Sequence, residues 1–255
     1  MPGTEKVVEI AGLKVPVWSG GSGPTLLVLH GDTGQNGWIP LYERLSKRFT
    51  VVAPTHPGYA GADIPEWARH PRDIAALQQW LVRDLKLNRP AVLGLGFGGW
   101  IAAEMATLAP QAFGKMVLVG AMGVKPDKGD ILDQFLVHGV DYVRAGFHDV
   151  AKFSALFGAQ PDLDQLEAWE IGREMTTRIA WKPYMFSHAL PPLLRGCDVP
   201  TLLVWGDDDK IVPRSAGELY ARLLRTARLE VVADCGHLVE LEQPDKLAAL
   251  VEAFL

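Results

Sequence analysis

Three stretches of this 255-residue chain carry residues that could do chemistry. The first is the turn Gly94-Leu95-Gly96-Phe97-Gly98-Gly99-Trp100, set between an apolar run and a helix-like run. The second is Asp207-Asp208-Asp209, just past the apolar run 201–205. The third is Gly236-His237, just past the run 229–233. A turn that doubles back between two packed elements leaves no room for a Cβ, which is why it is built from glycine. Two chemistries use such a turn. A dinucleotide fingerprint, G-x-G-x-x-G, is matched by Gly94, Gly96 and Gly99. A nucleophile elbow, G-x-S-x-G, is matched by Gly94, Gly96 and Gly98, except that Gly96 stands where the serine belongs.

The surrounding sequence separates the two. A dinucleotide site places its turn in the first strand–helix–strand unit and ends the next strand on a carboxylate that holds a ribose hydroxyl. Here the turn follows several strand-like runs, and the next one, 116–119, ends in Gly120-Ala121-Met122. An elbow needs an acid after a later strand and a histidine after the last one. The three aspartates and His237 supply these in the right order.

These residues need a frame to hold them. The run 25–30 is continuously apolar, as a strand buried on both faces of a parallel sheet must be; 115–120 is another apolar strand, and 49–53, 90–95, 201–205 and 229–233 read as further strands. The runs 6–10 and 14–18 flank Ala11-Gly12 and predict a hairpin. Helical periodicity is expected at 38–47, 72–85, after the glycine turn through 101–105 to about 109, at 215–225, and from Pro244 onward. Strand and helix alternate, which predicts an α/β fold with a mostly parallel central sheet and helices on both faces. The alternation breaks over 122–195, where helices are expected at 131–145, 149–157 and 164–179. This segment is read as a helical cap inserted into a core formed by 1–121 and 196–255.

Composition narrows the class. Apolar residues make up 48% and charged residues 22%, and the net charge is -5, without a basic run. That argues against nucleic acid as a partner. No window is long and apolar enough for a membrane span, and the N-terminus lacks the pattern of a signal peptide, so a cytoplasmic protein is expected. Cys197 and Cys235 read as free thiols. No ligand spacing suggests a metal.

Five marks taken together resemble the α/β-hydrolase superfamily, in its capped form that includes esterases, meta-cleavage-product hydrolases and epoxide hydrolases. They are Leu29-His30-Gly31, Pro54 with His56-Pro57-Gly58, the 94–100 turn, 205–213, and Gly236-His237 followed by Glu242-Gln243-Pro244. The resemblance covers nearly the whole chain and implies a cofactor-free enzyme with a small-molecule substrate; a homodimer is left open. It implies that His237 is the general base and that Asp209, rather than the neighbouring Asp208, orients it. It implies an oxyanion hole made by the main-chain N–H groups of Asp32 and Phe97. His30, Gly31, Trp100 and Trp181 become candidates for the substrate pocket, with His138, His148, His188 and Arg173 as polar candidates in the cap.

Gly96 is the departure from the family. None of the six serines lies in an elbow. Cys235 belongs to the histidine's own loop and is badly placed to attack from the turn. A covalent acyl-enzyme therefore has no evident nucleophile. Three readings stay open. Water could take the serine's place beside His237, in ester or related carbonyl hydrolysis or in a lyase or C–C cleavage step. Gly96 could be an inactivating substitution, engineered rather than natural. Or the chain could be a silent ligand-binding relative.

Overall fold

The computed structural model describes residues 3–255, so the first two positions of the expected core lie outside it. Eight strands form one sheet in the order β1-β2-β4-β3-β5-β6-β7-β8. β1 (Thr4–Ile10) and β2 (Leu13–Gly20) make the expected hairpin, and β2 runs antiparallel to β4 (Thr50–Pro54). The rest is parallel: β3 (Thr25–Leu29), β5 (Ala91–Leu95), β6 (Met116–Val119), β7 (Thr201–Gly206) and β8 (Ala227–Val232).

The continuous apolar runs are explained by the two-residue period of a strand. Leu26 and Val28 of β3 face one layer, and Leu27 and Leu29 face the other. One face is covered by α1 (Pro40–Leu45), α9 (Val239–Glu242) and α10 (Pro244–Phe254), through Leu41, Leu45, Val239, Leu247 and Val251. The other is covered by α2 (Pro71–Asp84), α3 (Phe97–Leu108) and α8 (Arg214–Leu223), through Ile74, Leu81, Ile101, Ala103 and Tyr220. At the start of α2, Pro71 sits at the first helical turn, the His70 ring accepts from the Arg72 amide, and the Asp73 carboxylate accepts from the His70 amide.

Between β6 and β7 lie α4 (Gly139–Ala145), α5 (Val150–Phe157), α6 (Leu163–Ala180) and α7 (Leu190–Leu194). The helix expected over 131–145 begins only at Gly139. Over 131–138 the chain is held in turns instead. Leu132 N–H reaches Ile211 O, the Asp133 carboxylate takes the Phe135 amide, and the Tyr184 hydroxyl binds both Gln134 N–H and Leu132 O. One local acceptor, Asp133, and two distant partners, Tyr184 and Ile211, thus outcompete helix formation there. The helices of this segment share the core of the α2–α3–α8 face: Tyr142, Phe147, Phe153, Trp169 and Met175 are all buried in it. Packing across that boundary is continuous.

Candidate active site

β5 ends at Leu95 and α3 begins at Phe97, so Gly96 alone makes the reversal. Its φ is 49° and its ψ is -112°, a backbone state that residues with a Cβ reach only with strain. The turn is held from below: Gly96 N–H donates to Val119 O, and Gly96 O accepts from Met122 N–H. The parallel strands therefore set the height of the turn above the sheet edge.

β7 and β8 deliver the other two stretches to the same edge. Beyond β7, Asp209 is fixed by its own loop, its Oδ1 accepting from the amides of Ile211 and Val212. That leaves Oδ2 for His237 Nδ1, 2.8 Å away. Both side chains are almost fully buried. The other two aspartates do different work. Asp208 pairs with His148 and Lys210 at the surface, and Asp207 accepts from the Cys235 amide. Gly120, at φ 54°, passes directly beneath the imidazole, where a Cβ would press on Nδ1 at 2.9 Å. The His237 loop is itself clamped. Glu242 accepts from the amides of Gly236, His148 and Asp149, which ties the loop to the start of α5.

The far side of the imidazole faces the turn. A Cβ on Gly96 would lie 3.1 Å from His237 Nε2. It would also lie 3.6 Å from Asp32 Oδ1. Sequence reasoning gave Asp32 a role through its main chain only; the structure turns its carboxylate into the site as well. The other oxygen, Oδ2, accepts a hydrogen bond of 2.7 Å from the Tyr142 hydroxyl of α4. No local signal joins residues 32 and 142; an acid at the end of an apolar strand with no basic neighbour was the one hint available.

The charges follow from this crowding. Burial alone would lower the His237 imidazole, but Asp209, with Asp32 and Glu240, outweighs it and holds the pKa up at about 9. Burial pushes the Asp32 carboxyl up, against the pull of His237 and Tyr142. Burial also lifts Glu240 to about 7.

His30, expected as a pocket residue, is a structural clamp. Its Nε2 accepts from the His56 amide at 2.8 Å, and its Nδ1 meets Gly31 O at 2.7 Å. His56 Nε2 reaches back to His30 O, and Gln78 holds the other His56 nitrogen. Each ring uses one nitrogen as donor and the other as acceptor, as a neutral imidazole must. Burial depresses His30 to about 4 and His56 well below its ordinary value, in keeping with this. The pair locks the loop after β3 to the loop after β4, and so fixes Gly31 and Asp32. Gly31 Cα lies 3.7 Å from the position a Cβ on Gly96 would take. Phe97 is fully buried among Trp100, His56 and Tyr59, and as the first residue of α3 its amide has no acceptor within the helix.

The two tryptophans expected in the pocket lie elsewhere. Trp100 is core: its indole donates to Glu104, which also pairs with Arg72. Trp181 is half exposed and stacks edge-on against Phe135 and Tyr184. Helix packing and surface stacking account for them without a ligand. His138 precedes α4, His148 is held at the surface by Asp208, and His188 stacks on Phe186.

Arg173 does reach a cavity. A space of about 10 Å³ lies beside Asp32, walled by Gln134, Tyr142, Trp169 and Arg173 among others. Gln134 Nε2, Trp169 Nε1 and Arg173 Nε are buried here without a hydrogen-bond acceptor among the described residues. Such donors are costly unless something takes them up. A larger open cavity of about 810 Å³ lies on the outer face of α6, but none of its walls is Gly96, Asp32, Asp209 or His237. Size counts for less than the converging polar groups, so the small cavity is the one tied to the site.

Residues 26–250 match the model of the Alpha/beta hydrolase family. The chain belongs to that family. It is 25% identical to a 2-hydroxymuconate semialdehyde hydrolase of Pseudomonas sp. (strain CF600), over 100% of this chain and 94% of the relative. It is 24% identical to a 2-hydroxy-6-oxo-2,4-heptadienoate hydrolase of Pseudomonas putida, over 98% and 95% of the two chains. Among solved structures, a meta-cleavage product hydrolase from Pseudomonas fluorescens IP01 superposes with a TM-score of 0.84 at 22% identity, covering 98% of this chain and 96% of that one. An N-acyl homoserine lactone degrading enzyme gives 0.79 at 20%, covering 98% and 100%. These structural likenesses are of fold.

Proposed function

We propose that this α/β-hydrolase family member hydrolyses an ester or related carbonyl bond of a small, mainly apolar substrate, with water in the place of the family's serine. One observation carries the reading. His237 Nε2 points at the space beside Gly96 from a distance that suits a proton exchange with an oxygen lodged there, while Asp209 holds Nδ1. The role of Asp209 is to orient the ring and balance the imidazolium. The amides of Phe97 and Asp32 are the proposed donors to the substrate carbonyl, the latter shared with its own carboxylate; such donors contribute about 3 kcal/mol each where they have been removed elsewhere. Residues 122–195 act as the cap, and the unpaired donors of Gln134, Trp169 and Arg173 suit an oxygen acceptor on the substrate. The hydrolase names of the relatives support the reaction class.

A second reading, a lyase or C–C cleavage step in which His237 shuttles a proton, is favoured by the Asp32 carboxylate, which also faces Gly96. Turnover of short p-nitrophenyl esters and of a 2-hydroxy-6-oxo-dienoate separates the cases. Ester turnover lost in His237→Ala supports the first reading. Dienoate cleavage without ester turnover supports the second. Tight binding of either compound with no turnover would mean that the chain is a silent binder.

A further inference from the structure

The Asp32 carboxylate is an expensive feature. It is buried, and among the described residues no lysine or arginine pairs with it. A buried carboxylate without a cation costs several kcal/mol unless it is protonated or paired. Its charge also lies beside the point at Gly96 where a carbonyl would be attacked, and a fixed negative charge there opposes the charge that builds in acyl transfer. A side chain needed only for its amide would be better uncharged. Yet the fold takes care to aim it. Tyr142 fixes Oδ2, the His30–His56 clamp fixes the backbone, and Oδ1 is left facing the same point as His237 Nε2.

We infer that Asp32 is a second proton-transfer group of this site, paired with His237 across the gap left by Gly96. This rests on the reading that the reaction takes place beside Gly96, and it assigns the direction in which protons move. The two groups hold one exchangeable proton between them. In the resting state it sits on His237, balanced by Asp209, and Asp32 is the carboxylate. In an ester hydrolysis, Asp32 Oδ1 takes a proton from water as the water oxygen bonds to the carbonyl carbon. The carbonyl electron pair moves to its oxygen, which takes the proton of His237. The resulting neutral tetrahedral adduct collapses by the reverse transfers. The alkoxy oxygen leaves with the proton held on Asp32, and the adduct's hydroxyl returns a proton to His237. Ester and water become acid and alcohol, and both side chains end as they began. A serine Cβ and Oγ would fill the space in which the water and Asp32 Oδ1 meet, so glycine at 96 and aspartate at 32 belong to one arrangement.

Facing Asp32 are His237, Tyr142, Asp209, Glu240, Tyr59 and Tyr184, with Arg173 on the wall of the same small cavity; burial pushes the Asp32 carboxyl up, and His237 is the strongest pull against it.

Two measurements on the full chain test the inference. The first needs no substrate. The His237 ring protons are followed by NMR across the pH range in the given chain, in Asp32→Asn and in Tyr142→Phe. A shared proton predicts that Asp32→Asn lowers the His237 midpoint by about one pH unit or more and removes a second inflection at acid pH. Tyr142→Phe should move that acid inflection upward while leaving it visible. An unchanged His237 titration in a folded Asp32→Asn variant overturns the inference, whether or not any ester is turned over. The second uses p-nitrophenyl acetate. Asp32→Ala should lower kcat about 100-fold with KM within a few-fold, and added formate should restore part of the rate. An undiminished kcat in Asp32→Ala, or a diminished one that formate leaves untouched, overturns the catalytic role. If the titrations are coupled but no ester is hydrolysed, the hydrolase reading fails and the proton-sharing pair stands.

Discussion

A serine at position 96 would place its Cβ 3.1 Å from His237 Nε2, close enough to need a small shift and not close enough to be excluded. The backbone there is already in the state the elbow demands. Gly96→Ser should therefore fold, at a cost of about 1–3 kcal/mol for a Cβ at positive φ. The hydroxyl it brings should make the chain react with a fluorophosphonate probe, read as covalent labelling at residue 96; the given chain should stay unlabelled there. Asp32 should oppose the restored serine, because its carboxylate lies 3.6 Å from the Cβ such a serine would carry, beside the charge that builds during attack. The account thus predicts that adding Asp32→Asn to Gly96→Ser raises esterase activity, whereas the same change in the given chain lowers it. Equal effects in both backgrounds would show that Asp32 is only structural. At this scale the sequence is informative about identities and poor about directions. His237 and one of three aspartates could be read from their places after strands, and the structure puts Asp209 against the ring. That Asp32 turns its side chain inward depends on Tyr142, more than a hundred residues away.

At the scale of elements, the loop that carries His237 is held by Glu242 rather than by regular structure. This buried carboxylate accepts three main-chain amides, from Gly236, His148 and Asp149. Hydrogen bonds to a charged acceptor contribute more than neutral ones, about 1.5–3 kcal/mol. Glu242→Gln keeps the shape and gives up the charge, and should lower the midpoint of thermal unfolding by roughly 4–10 °C. Amide exchange at Gly236 and Asp149 should quicken together, since one side chain holds both; acceleration at one alone would argue against a shared clamp. The Glu242-Gln243-Pro244 stretch could be noticed in the sequence as a helix start. Its link to α5 could not, because nothing local joins residue 242 to residue 149. The segment 131–138 shows the same limit. Its apolar spacing reads as helix, but Asp133 and Tyr184 supply competing hydrogen bonds.

For the whole molecule, two buried histidines shift in opposite directions and shape the dependence of stability on pH. His237 rises from 6.5 to about 9 on folding, so the folded chain holds more proton than the unfolded one between those values. Its contribution is complete below pH 6.5 and is lost as pH rises through 9. His30 falls from 6.5 to about 4, so the folded chain holds less proton in that window. Its contribution is complete above 6.5 and is lost as pH falls through 4. Denaturant midpoints should therefore fall as pH rises through 9; on the acid side His30, with His56 lowered beside it, sets a falling limb, against which Glu240, raised to about 7, gains as pH falls from 7 to 4.5. His30→Gln should flatten the acid limb, and Asp209→Asn the alkaline one. An alkaline limb that survives Asp209→Asn would mean that another group sets it. The architecture around these groups was the most legible part, because strands covered on both faces read as apolar runs between helix-like stretches, though β8, with Arg228 and Glu230, is a partly exposed edge. The antiparallel hairpin stands out through Ala11-Gly12. The short helices α7 and α9 carry too few turns to show a period and were not foreseen.

The central claim is that oxygen from water, and none from the protein, attacks at Gly96 under the control of His237. Mass spectrometry of the intact protein, quenched during turnover of p-nitrophenyl acetate, tests it directly. The account predicts that the chain keeps its unmodified mass at every quench time while p-nitrophenol is released, and that His237→Ala releases none above the uncatalysed rate. An acetylated chain that forms and decays at the rate of turnover would mean that a protein group formed a covalent intermediate, and would contradict the account.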